Sequence, residues 1–68
     1  MTATYPIRMD VIRLRFQHHS RLASRVVFND GATVTFDERL SKYSAFQQAT
    51  ALRENGYTDQ LHAAEEAL

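Results

Sequence analysis

The amino-acid sequence has no cysteine and no tryptophan, and its 68 residues include only one proline and two glycines. Without cysteine, the chain forms neither a disulfide nor a thiolate metal site. A chain this short also buries only a small core. We therefore expect its stability to depend on the apolar core alone or on a partner, including a second copy of the chain.

Long apolar runs are missing as well. The longest uninterrupted run is Val26-Val27-Phe28, whereas a membrane-spanning helix needs about 20 apolar residues. The first six residues lack the basic and apolar stretches of a signal peptide. The sequence therefore predicts a cytoplasmic protein with no membrane contact.

The charges are balanced overall but divided between the two halves of the chain. Residues 1–36 hold five arginines and two aspartates, a net charge of +3, and residues 37–68 hold three basic and six acidic residues, a net charge of −3. A basic half and an acidic half can attract each other or an oppositely charged partner.

The most specific local pattern is Asn29-Asp30-Gly31 between two runs of β-branched and aromatic residues, which is typical of a β-hairpin. A two-residue turn would place Val27 opposite Val34. A three-residue loop with a left-handed Gly31 would instead place Val26 opposite Val34. We predict the second register because it separates apolar from polar residues more cleanly. Its inner face would hold Val26, Phe28, Ala32, Val34 and Phe36, with Val27, Thr33 and Thr35 outside.

Two more strands are predicted before this turn. Residues 7–16 are predicted to form a strand, in which Ile12, Leu14 and Phe16 alternate with Val11, Arg13 and Arg15, so the first three should face the same core. Residues 22–28 then return antiparallel to the first strand. Residues 1–6 are expected to form a flexible arm, in which Pro6 disfavours a helical Tyr5.

A change of periodicity after residue 36 predicts a helix from Lys42 to Asn55, capped by Ser41. Its apolar face consists of Ala45, Phe46, Ala49 and Leu52. Gly56 should end it, and Thr58 should cap a second, short helix. The apolar side of that second helix would consist of Leu61, Ala64 and Leu68.

The predicted fold is thus a single α+β domain spanning residues 1–68. A three-stranded antiparallel meander has one face packed by an amphipathic helix, and a short C-terminal helix follows (β-β-β-α-α).

The sequence offers little catalytic chemistry. His18-His19-Ser20 is the nearest approach to a metal or hydrolytic site, which His62 could complete. Adjacent residues of an extended segment point apart, however, and no acidic residue lies nearby in sequence to orient a ring. We interpret the cluster as a solvated loop. With no phosphate-binding loop or nucleophile motif, the sequence predicts a non-enzyme without metal or cofactor.

Arginines form the main candidate binding surface. In the chosen register, Arg13, Arg15, Arg21 and Arg25 all lie on the outer sheet face. That face could bind protein or nucleic acid, or simply face water. A three-stranded sheet with a helix resembles the arm-binding domains of tyrosine recombinases at the level of fold. The zero net charge and the lack of stacking aromatics on that face weigh against nucleic acid.

Protein binding is favoured by two further features. The basic sheet face and acidic C-terminal end could pair across a homodimer or dock a charged partner. Tyr43, Leu40 and Ala51 could form an exposed apolar patch on the first helix. The predicted partner-binding residues are Arg13, Arg15, Arg21, Arg25, Tyr43, Glu65 and Glu66.

In size, charge layout and lack of catalytic residues, the chain is similar to the accessory proteins of phages and mobile elements, such as anti-CRISPR proteins. That resemblance implies a small non-enzymatic protein-binding module, an inhibitor or adaptor acting on a larger partner. The alternative is a small nucleic-acid-binding domain that uses the arginine-bearing sheet face.

Overall fold

The computed structural model describes residues 3–59, 61 and 64–66. These residues form a curled, four-stranded antiparallel sheet and one helix, which confirms the α+β class. The elements are β1 (Pro6–Arg15), β2 (Ser20–Phe28), β3 (Thr33–Thr35), α1 (Lys42–Glu54) and β4 (Ala64–Glu66). Across the sheet the strand order is β3-β2-β1-β4.

The hairpin between β2 and β3 has the predicted three-residue loop. Val26 lies opposite Val34, and the N–H of Phe28 donates to the carbonyl of Ala32 at 2.9 Å. Gly31 has a φ of 90°, a left-handed conformation that glycine adopts at little cost. This turn therefore fixes Val26, Phe28 and Val34 on one buried face.

The hairpin between β1 and β2 has a register that the sequence did not predict. Ile12 lies opposite Ala23, and Leu14 lies opposite Arg21. At the turn, the N–H of Phe16 donates to the carbonyl of His19 at 2.7 Å. Because residues opposite each other in an antiparallel pair share a face, Ile12 and Leu14 lie on the face opposite to that of Val26. The prediction of one common core face was wrong.

The sheet consequently has an apolar cluster on each side. On the helix face, α1 covers a cluster with Val26, Phe28 and Val34 at its centre. On the other face, which we call the C-terminal face, Leu61 packs on Ile12, Leu14 and Ala23.

Helix α1 begins at Lys42 as predicted and ends at Glu54, one residue before the predicted end, with Asn55 as its C-cap. The N–H of Ser44 donates to the hydroxyl of the N-cap Ser41 at 3.2 Å. Ala45 and Ala49 are fully buried against the sheet, and their small side chains let the helix lie close to the strands. The N–H of Gly56, which has a φ of 81°, bonds to the carbonyl of Arg53 beyond the last turn.

The predicted second helix is wrong, because residues 64–66 form β4. Arg13 lies opposite Glu66 and Arg15 opposite Ala64. A short helix with two glutamates at its C-terminal end would have opposed the helix dipole. The outer edge of β1 instead supplies backbone partners and nearby arginines. Leu68, assigned to that helix, lies outside the described residues.

The N-terminal segment is bonded to the hairpin turn through Asn29. The N–H of Tyr5 donates to Oδ1 of Asn29 at 2.9 Å, and Nδ2 of Asn29 donates to the carbonyl of Ala3 at 2.8 Å. These bonds place the start of β1, at Pro6, beside the end of β2. Within the described part of the chain, no helix is long and apolar enough to cross a membrane.

Candidate partner-binding surfaces

The β1–β2 register divides the four candidate arginines between the two faces of the sheet. Arg13 lies opposite Leu22, whereas Arg25 lies opposite Asp10 on β1 and Thr35 on β3. Arg13 and Arg15 therefore belong to the helix face, and Arg21 and Arg25 to the C-terminal face. The expectation that all four share one surface was wrong.

The acidic residues of β4 form ion pairs within the chain. Glu65 pairs with the guanidinium of Arg25, and Glu66 lies 3.7 Å from that of Arg15. Arg25 is held further by a 3.1 Å hydrogen bond from its Nε to the hydroxyl of Thr35. We had expected the basic sheet and the acidic C-terminal end to attract each other between chains. In this structure their charges instead pair within one chain and attach β4 to the sheet.

Arg21 is engaged at the β1–β2 turn. Its guanidinium lies 5.2 Å from the centre of the Phe16 ring and donates to Nε2 of His19 at 3.0 Å. The rings of Phe16 and His19 stack with their centres 5.1 Å apart. These contacts give Arg21 and His19 a structural role in closing the hairpin.

The described residues of the His18-His19-Ser20 cluster are not arranged to bind a metal ion. His18 and Ser20 are exposed, and His19 is stacked on Phe16. Among the described residues, no group of three or more histidine, aspartate or glutamate side chains could hold a metal ion. His62, the remaining candidate ligand, lies outside the described residues.

Arg13 and Arg15 are exposed at the end of β1, next to the β1–β2 turn. The side chain of Arg13 forms no ion pair with any other described residue. Beside it, Leu22 is only half-buried. This end of the helix face therefore presents two cations next to a partly exposed apolar side chain.

The most exposed large hydrophobic side chain among the described residues lies on the outer side of α1. Tyr43 is 76% exposed and stands at one end of a shallow groove, which we call the α1 groove. The groove is lined by Tyr43, Phe46, Gln47, Thr50, Ala51 and Glu54. The three- and four-residue spacing puts these side chains on one side of the helix, so α1 has an outer stripe in addition to its core stripe.

Polar groups beside the groove already have partners in the helix. The hydroxyl of Thr50 donates to the carbonyl of Phe46 at 2.9 Å, and Nε2 of Gln48 donates to the hydroxyl of Ser44 at 2.9 Å. At the N-terminal end, Nζ of Lys42 lies 5.6 Å from the centre of the Phe46 ring. The hydroxyl of Thr50 is therefore satisfied within the helix, and Glu54 is the one charged side chain among the described residues that line the groove.

Two of the groove residues, Tyr43 and Ala51, were predicted as an exposed patch. Leu40, the third member of that patch, instead packs against the core. Phe46, Gln47 and Thr50 were missed because Phe46 was assigned wholly to the core. Extending the spacing from Tyr43 along the helix would have found them.

The C-terminal end of α1 is tied to the β2–β3 turn. Both terminal nitrogens of Arg53 donate to the carboxylate of Asp30, at 3.0 and 3.1 Å, and the guanidinium lies 4.7 Å from the centre of the Phe28 ring. The hydrogen bonds from Arg53, followed by one from the N–H of Ala32, hold the pKa of Asp30 below its ordinary value. This contact fixes the groove relative to the sheet.

The chain matches no protein-family model, and comparisons with curated proteins and with solved structures found no match either.

Proposed function

We propose that this chain is a non-enzymatic protein-binding module, an inhibitor or adaptor that docks another protein chain in the α1 groove. The observation that carries the proposal is Tyr43, which is 76% exposed at the head of a stripe that carries no charge as far as Ala51. Tyrosine buries a large area with few rotatable bonds and is enriched where binding energy concentrates. An exposed apolar groove of this kind is typical of a docking surface.

The rigidity of α1 supports the same function. Its N-terminus is capped by Ser41, its inner face is fixed by Ala45 and Ala49, and its C-terminus is held by the Arg53–Asp30 pair. A surface that is already ordered loses little conformational entropy when a partner binds. Helices that present one apolar stripe commonly bind a groove or another helix.

Affinity capture from the source cell tests this function. Bait proteins are the wild type, Tyr43→Ala, Ala51→Arg and the control Gln48→Ala, which changes an exposed residue on the same helix outside the groove. We expect both groove variants to lose the proteins captured by the wild type, whereas Gln48→Ala retains them. Capture that is unchanged by both groove variants, with their folding verified by circular dichroism, would contradict the proposal.

Nucleic-acid binding is the second candidate, and the exposure of Arg13 and Arg15 on one side of β1 favours it. A two-stranded ribbon can enter a groove of DNA, with arginines against phosphate or base edges. The nearby Glu66 carboxylate offsets part of this positive charge.

Fluorescence anisotropy with labelled duplex and single-stranded DNA at low salt tests this candidate. A nucleic-acid binder loses affinity steeply as salt rises, because bound cations are released from the phosphates. The Arg13→Glu/Arg15→Glu variant should reduce both the affinity and the salt slope. No binding of either probe at low salt rejects this function and leaves the groove proposal unaffected.

A further inference from the structure

We propose that the α1 groove is occupied by the α1 groove of a second copy of this chain, with the two helices antiparallel across a two-fold axis near Gln47. This inference rests on the proposed function, since it takes the groove as a protein-docking surface, and it names the occupant. A two-fold interface brings the same surface of both copies together, so the surface must be complementary to itself.

The shape of the groove meets this condition. Tyr43 lies four positions before Gln47, and Ala51 lies four positions after it. In an antiparallel pair centred on Gln47, each exposed Tyr43 ring lies level with the small Ala51 of the other copy. Thr50 is also small, so the two helices can approach closely on either side of the ring. The two-fold axis thus creates two equivalent contacts, each between the large Tyr43 of one copy and the small Ala51 of the other.

The charges at the two ends of the groove are complementary in the same arrangement. Lys42 stands at the N-terminal end and Glu54 at the C-terminal end. Neither forms an ion pair with another described residue. Twelve helical residues separate them by about 18 Å, too far to meet within one chain. An antiparallel second copy brings Lys42 of each chain near Glu54 of the other and also opposes the two helix dipoles.

The middle of the groove suits a contact on the axis. Gln47 is exposed and lines the groove, and its amide can both donate to and accept from the same amide of the second copy. Such a pairing satisfies a polar group at the centre of an interface whose charged residues lie at its two ends. A parallel pair would instead place Tyr43 against Tyr43 and Glu54 against Glu54.

The buried core of the single chain is small, so burying the groove between two copies would add to its stability. The described residues bury eight apolar side chains, of which three are alanines: Ile12, Leu14, Ala23, Val26, Phe28, Val34, Ala45 and Ala49. Chains of this length often gain stability by association.

Sedimentation velocity of the wild-type protein is the primary experiment. We expect a monomer–dimer equilibrium, with a dissociation constant raised about tenfold by Lys42→Glu or by Glu54→Lys, because each change replaces two attractions with two repulsions. The Lys42→Glu/Glu54→Lys variant should restore the wild-type constant. Lys42→Glu/Asp37→Lys has the same compensating charge away from the groove and should not restore it.

Disulfide cross-linking tests the antiparallel geometry directly, since the chain has no cysteine of its own. Gln47→Cys should cross-link rapidly to itself under mild oxidation, whereas the control Gln48→Cys should not. Tyr43→Cys alone should not cross-link, because its two copies would lie about 12 Å apart along the helices. A mixture of Tyr43→Cys and Ala51→Cys should cross-link to each other.

A wild-type protein that stays monomeric up to about 1 mM overturns the second copy as occupant, since weaker association would not hold in a cell. Equal cross-linking at positions 47 and 48 overturns it too. Neither result affects the affinity-capture test, in which loss of a different captured protein by Tyr43→Ala would still support the groove as a docking site. Conversely, if the protein dimerises and affinity capture finds no other protein, the second copy is supported as the occupant and the proposal of a larger partner is rejected.

Discussion

The hydroxyl of Ser24 forms two hydrogen bonds with the backbone of Leu40. It accepts from the N–H at 2.8 Å and donates to the carbonyl at 3.3 Å. Ser24 is fully buried in the middle of β2, and Leu40 directly precedes the N-cap of α1. This pair therefore sets where the helix, and with it the α1 groove, begins on the sheet.

Replacing Ser24 with alanine should lower the free energy of unfolding by about 1–3 kcal/mol, because the N–H and carbonyl of Leu40 lose a side-chain partner in a partly buried place. Urea denaturation followed by circular dichroism measures the change. Ser20→Ala, at an exposed position of the same strand, is the control and should have almost no effect. Equal midpoints for the two variants would contradict the structural role of Ser24.

Gly31→Ala should destabilise the protein by about 1–2 kcal/mol, because an L-residue is strained in the left-handed region. A Cβ at this position would meet no atom within 4 Å, so the cost comes from the backbone alone. D-alanine favours positive φ and provides the matched control in a chemically synthesised chain. It should preserve or raise the melting temperature. If both alanines destabilised the chain equally, a steric clash would be indicated instead.

The β2–β3 hairpin was predictable because its cause is local: Asn29-Asp30-Gly31 determines both the loop and the register. The β1–β2 register was not predictable. A two-residue periodicity shows which residues of a strand share a face, but it does not show which of the two faces of the sheet they occupy. Gln17-His18 contains no glycine or proline to specify the turn. Ile12 and Leu14 were therefore recognised as inward-facing residues but were assigned to the wrong side of the sheet.

Residues 57–59, 61 and 64–66 were mispredicted because non-local contacts decide their conformation. Leu61 packs on the cluster around Leu14, and Glu65 pairs with Arg25; both partners are distant in sequence. The helix α1 shows the converse. Its core stripe and the exposure of Tyr43 and Ala51 follow from spacing within one element, so part of the candidate site could be predicted.

Asp59 should control how firmly the C-terminal segment lies on the sheet. Its Oδ2 accepts from the hydroxyls of Thr33 and Thr35, at 3.2 and 2.7 Å. Thr35, which was expected to be exposed, is buried beneath this segment. We expect Asp59→Ala to speed amide hydrogen exchange in β4 while exchange in α1 stays unchanged. Asp37→Ala, at an exposed position, should leave both unchanged, whereas slow exchange of β4 in Asp59→Ala would contradict this role.

The Asp30–Arg53 pair should make stability depend on pH in the acid range. The pKa of Asp30 is lowered in the folded protein, mainly by the hydrogen bonds from Arg53. A lowered pKa means that the unfolded chain binds the proton more readily. The contribution of the pair is therefore complete above the unfolded pKa of about 3.9 and is lost as pH falls through the folded pKa.

We therefore expect the stability difference between the wild type and Asp30→Asn to be constant at neutral pH and to shrink below about pH 4, where the unfolded chain begins to bind a proton that the folded wild type gains only at lower pH. Urea denaturation over this pH range measures it. With Arg53→Gln as the background, the same Asp30→Asn change should show a much weaker pH dependence, because the main cause of the lowered pKa is gone. Parallel pH curves for the wild type and Asp30→Asn would show that the pair does not stabilise the folded chain.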